Sequence, residues 1–67
     1  MAIIATINRQ DGFKAKLVQF EHGQKYVIEL YDAAGQLVFT RYPTSDIEEE
    51  AVLEAQATVD GWTQLNG

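Results

Sequence analysis

The sequence predicts an α+β fold, a four-stranded antiparallel β-meander with one C-terminal α-helix packed on one face. Three observations carry that reading. Four short segments rich in β-branched and aromatic residues fill the first 42 positions, and these residue types suit a pleated surface. The connections between them are too short for crossover helices, which leaves the meander as the simplest topology. After Pro43 the pattern changes to apolar residues at helical spacing behind a capping signature.

Strands are expected near residues 3–8, 14–20, 25–31 and 37–42. The polar connection Arg9-Gln10-Asp11-Gly12 reads as a mobile loop. Between the second and third strands, His22-Gly23 forms a two-residue turn, with glycine supplying positive φ and His22 a solvent-exposed turn residue. That turn fixes the register: Gln19 pairs with Tyr26, Val18 with Val27, Leu17 with Ile28, Lys16 with Glu29 and Ala15 with Leu30. Ala15, Leu17, Tyr26, Ile28 and Leu30 then share an inner face, while Lys16 and Glu29 oppose each other outside. For the third connection, a four-residue loop Asp32-Ala33-Ala34-Gly35 sets Leu37 beside Leu30 and Phe39 beside Ile28. A one-residue change there would flip every side chain of the fourth strand.

The helix is expected near residues 46–60. Ser45 followed by Glu48 reads as a capping box, Thr44 is the competing cap, and Gly61 is the expected C-terminal cap. At roughly 100° per residue, Ile47, Ala51, Ala55 and Trp62 fall in one arc, widened by Val52 and Val59. If the helix frays at Gly61, Trp62 and Leu65 close the bottom of the core as a tail.

At 67 residues without cysteine, the chain has room for a single small domain spanning residues 1–67, with no disulfide, thiol nucleophile or thiolate metal site. A domain this small buries only ~60% of the surface its unfolded chain exposes. Its 46% hydrophobic and 22% charged residues are those of a globular chain. The longest apolar runs fall far short of the ~20 residues a membrane span needs, so a soluble, cytoplasmic protein is expected.

Catalytic motifs do not stand out. His22 is the lone histidine and Ser45 the lone serine, already assigned to a cap, and no phosphate-binding glycine loop occurs. Consecutive glutamates at 48, 49 and 50 fan out by roughly 100° each on a helix and do not converge on one ion. The reading is non-enzymatic, with no cofactor, metal or catalytic residue.

Charge is unevenly distributed. The net charge of −5 divides into +1 over residues 1–42, which hold all five basic residues, and −6 over residues 43–67. An acidic helix argues against direct nucleic-acid binding, which needs a basic surface to neutralise phosphates. Lys14, Lys16 and Lys25 beside Phe20 would make only a modest single-strand platform.

The outer sheet face carries more apolar residues than a wet face should. Val18, Phe20, Val27, Tyr31 and Val38 are its candidate protein-contact residues. The dull alternative is β propensity on a face shielded by lysine stems. The leading expectation is a protein-interaction module, binding a protein partner or a second copy of itself through this face. The alternative is an acidic inhibitor or decoy, of the sort phage and mobile elements encode. It would present Glu48, Glu49, Glu50, Glu54 and Asp60 to a basic, nucleic-acid-binding site on another protein.

Overall fold

A computed structural model of the chain describes residues 2–20 and 25–62. Strands β1 (Ala2–Asn8), β2 (Lys14–Gln19), β3 (Tyr26–Tyr31) and β4 (Leu37–Arg41) form one antiparallel sheet in the order β1-β2-β3-β4, followed by helix α1 (Glu48–Gly61). The expected fold class is therefore observed. The β2–β3 pairs are those expected, from Ala15 with Leu30 to Gln19 with Tyr26. The His22-Gly23 turn and Leu65 lie outside the described residues.

The other two hairpins share one design. In each, a type I turn is followed by a glycine at positive φ, the three-residue loop in which that glycine forms a bulge. The Gly12 N–H donates to the Arg9 carbonyl and the Arg9 N–H to the Phe13 carbonyl; the Gly35 N–H donates to the Asp32 carbonyl and the Asp32 N–H to the Gln36 carbonyl. Gly12 and Gly35 have φ of 98° and 87°. The Asp32 carboxylate further accepts the N–H groups of Ala34 and Gln36. Where a mobile loop was expected at Arg9–Gly12, the chain makes a hydrogen-bonded turn.

The β3–β4 register corrects the expectation from a four-residue loop. Leu30 faces Phe39 rather than Leu37, and Ile28 faces Arg41 rather than Phe39. The three-residue loop moves the pairing by one residue, and a second irregularity between Leu30 and Tyr31 moves it by one more. One shift alone would turn β4 inside out; two restore parity, so Phe39 still stands on the helix side.

Helix α1 starts later than expected, at Glu48. Ile47 is its N-cap residue, in an extended conformation without a side-chain cap bond. Instead of opening a capping box, the Ser45 hydroxyl accepts the Ile47 N–H, a local turn that competes with the helix for the chain. Ile47 therefore leaves the core stripe and is exposed. At the other end Gly61 is the last helical residue rather than the cap, and Trp62 ends the helix in an extended conformation.

Ala51, Ala55 and Val59, one helical turn apart, form the buried stripe, with Val52 and Trp62 packed at its margin. They join Phe13, Ala15, Leu17, Tyr26, Ile28 and Leu30 in one core. The helix lies over β1, β2 and β3 but not β4. Geometry accounts for that: four strands span ~14 Å between their outer axes, and one helix with its side chains is about 10 Å wide. β4 is left as an uncovered margin, and all five of its residues are exposed.

Candidate interaction surface

Two clasps tie the helix to the sheet and define which surface remains free. At the C-terminal end of α1, Arg9 Nη1 donates to the Val59 and Trp62 carbonyls at 2.6 and 2.7 Å. Helix C-termini expose carbonyls and partial negative charge, so a guanidinium is well matched to that position. Asp11 holds the guanidinium from the other side, accepting Nε at 2.9 Å and Nη2 at 2.6 Å. Those bonds, helped by the Phe13 N–H, lower the Asp11 carboxyl to a pKa of about 2, and Asp11 in turn raises that of Arg9. The guanidinium carbon also lies 4.8 Å from the Phe13 ring centre.

Nearer the start of the helix, Glu54 accepts the Thr44 N–H at 3.0 Å, the Thr44 hydroxyl at 2.8 Å and Arg41 Nη2 at 3.2 Å. The Thr44 bonds, more than the arginine, hold its carboxyl below the ordinary glutamate range. Of the five acidic residues expected to form a docking surface, Glu54 thus serves the fold. Asp60 accepts Gln56 Nε2 at 2.9 Å, and Glu48, Glu49 and Glu50 stand exposed in the first turn of α1.

On the outer sheet face, Val18 and Val27 are opposed as expected, yet they are only 3% and 7% exposed. By register their neighbours are Ile3, Lys16, Phe20, Lys25 and Glu29. Phe20 and Tyr31 are half-buried. Tyr31 donates its hydroxyl to Glu29 at 2.8 Å, which with burial raises its pKa, and Lys16 Nζ lies 4.8 Å from its ring centre. Val38 is the one exposed member of the expected set.

Exposed apolar surface collects elsewhere. Seven large hydrophobic residues are exposed among the described residues, and four of them, Leu37, Val38, Phe39 and Tyr42, run together along β4 and just past it. Leu37, Val38, Phe39 and Thr40 line an open depression of about 400 Å³. Phe39 stacks at a tilt on Trp62, ring centres 5.1 Å apart, and this contact is what bridges the helix end to the uncovered strand. The bulges that place these side chains have no signal in the residue types of β4, so sequence reasoning missed them.

Among the described residues, no three His, Asp or Glu side chains are grouped to hold a metal ion, and no helix is long and apolar enough to cross a membrane. No family model, curated protein or solved structure matches the chain.

Proposed function

We propose that the chain is a small non-enzymatic protein-interaction module whose contact surface is the β4 margin. The observation that carries this reading is the run Leu37, Val38, Phe39 and Tyr42, exposed on a strand that no helix covers and that has one free edge. Exposed apolar side chains on both faces of an edge strand suit a contact site, and a free edge strand offers backbone donors and acceptors to an incoming strand. The surface keeps Val38 from the expected outer-face set and leaves out the shielded Val18–Val27 pair.

The test is capture of binding proteins by the immobilised chain, compared with Thr40→Lys and Glu49→Lys variants of verified fold. Partners lost with Thr40→Lys and kept with Glu49→Lys support the reading; partners indifferent to Thr40→Lys overturn it. The exposed Glu48, Glu49 and Glu50 favour a second reading, an acidic decoy for a basic site. It requires salt-sensitive binding that is lost on charge reversal at Glu49 and Glu50.

A further inference from the structure

We infer that the occupant of the β4 edge is a second copy of this chain, paired antiparallel through β4 about a two-fold axis. The inference rests on the reading of β4 as a contact surface and names its partner. Charge narrows the place to the two sheet edges, since neither β1 nor β4 holds an acidic residue. A chain of net charge −5 repels its own copies, and the −6 of its second part lies on and around the helix. Residues 33–45 are the longest stretch of the sequence without an acidic residue and carry one cation, Arg41. Two copies meeting there bring no carboxylate of either β4 against the other.

The edge also carries few of the usual deterrents, its one bulge, at Val38, lying toward the turn. Strand edges are normally blunted by lysine, proline or a charge turned across the pairing direction. β4 has no lysine or proline, and its one charge, Arg41, is drawn to Glu54 at 3.2 Å, on the helix side of the sheet. The irregular pairing lies at the turn end, leaving Phe39 to Arg41 in regular register. The other edge is less suited: β1 has its register shift at Ile4, in mid-strand, and three of its residues are half-buried.

Two-fold β4–β4′ pairing makes one continuous eight-stranded sheet with a helix over each half. It also brings the uncovered Phe39 side of both copies into the gap between the helices. A five-residue strand pair buries less than the ~1,200 Å² of a stable interface. The dimer is therefore weak and reversible.

Because the chain has no cysteine, single cysteines report the geometry directly. In a two-fold antiparallel pair one residue faces its own copy at a Cα separation of about 4.5–5.5 Å, within disulfide reach, whereas residues two positions away are roughly 13 Å from theirs. Cysteines are placed one at a time at positions 37 to 41, and oxidative cross-linking is measured beside sedimentation of the cysteine-free chain up to about 1 mM. The expected result is concentration-dependent dimerisation, cross-linking concentrated at one position, and dimerisation weakened tenfold or more by Thr40→Lys with its circular dichroism unchanged. A chain that stays monomeric, or dimerises without cross-linking anywhere on β4, overturns the second-copy inference. The wider reading of β4 as a contact surface falls separately, on partner capture that ignores Thr40→Lys.

Discussion

Gly12→Ala tests the packing of the two like hairpins against each other. A Cβ on Gly12 would lie 2.9 Å from Ala33 Cβ and 3.3 Å from Ala33 Cα, whereas a Cβ on Gly35 would meet nothing within 4 Å. Both glycines have positive φ, so alanine at either carries backbone strain of ~1–2 kcal/mol. Only Gly12→Ala adds overpacking, ~1–3 kcal/mol. The expected cost is therefore ~1–2 kcal/mol for Gly35→Ala and ~2–5 kcal/mol for Gly12→Ala. In a domain of this size each kcal/mol corresponds to roughly 4–8 °C in Tm. Urea unfolding followed by circular dichroism measures both, and a cycle with Ala33→Gly isolates the contact. Ala33→Gly should restore ~1 kcal/mol or more of the loss in Gly12→Ala and nothing in Gly35→Ala. The recovery stays partial because Ala33 Cα remains close. Additivity of Gly12→Ala and Ala33→Gly within ~0.3 kcal/mol would refute the close approach of the two turns.

Other expectations concern the core and the clasps. Leu30→Ala removes a fully buried side chain at the sheet centre and should cost ~2–5 kcal/mol. That is most of what a core this small supplies, so the variant should be largely unfolded by circular dichroism. The Asp11 carboxyl is lowered to about 2 from an ordinary value of 3.8, so the folded state binds its proton less readily than the unfolded chain. Its contribution is present above about pH 4 and is lost as pH falls toward 2. Acid unfolding of Asp11→Asn should show a smaller loss of stability over that window than the parent chain. Glu54→Gln keeps the size of the side chain but removes the charge that Thr44 and Arg41 address. It should lower Tm modestly and broaden the amide resonances of residues 42–47, with the core resonances unmoved.

The fold was legible where charge and apolar pattern agreed. Lys16 facing Glu29 and Leu17 facing Ile28 fit a single alignment of β2 and β3, and that alignment is the one formed. β4 was harder, because its register depends on two one-residue shifts whose effects on side-chain direction cancel. The residue types of Leu37–Arg41 are compatible with every alternative. Phe13, a buried core residue beside a turn, continues the alternation of Ala15 and Leu17 and was passed over because the strand was expected to begin one residue later. The site was less legible than the fold. Which apolar residues are exposed depends on the width of a helix against a four-stranded sheet, and Val18 and Val27 are buried on the face the helix does not cover. Glu54 looked like one more surface charge, since its partners Arg41 and Thr44 lie more than two helical turns away in sequence.

The Arg9 clasp also bears on the order of folding events. It joins residue 9 to carbonyls 50 and 53 positions later, whereas each hairpin closes over a few residues. Long closures pay their entropy before any contact repays it, so the expected order is the meander first and the guanidinium reaching the helix end after the rate-limiting barrier. Contacts made that late slow escape from the native state without hastening arrival. Arg9→Met should accordingly steepen the loss of native protein in unfolding jumps while leaving refolding rates nearly untouched. The side chain that fastens the helix end to the first turn thus acts as a latch on the native state's lifetime.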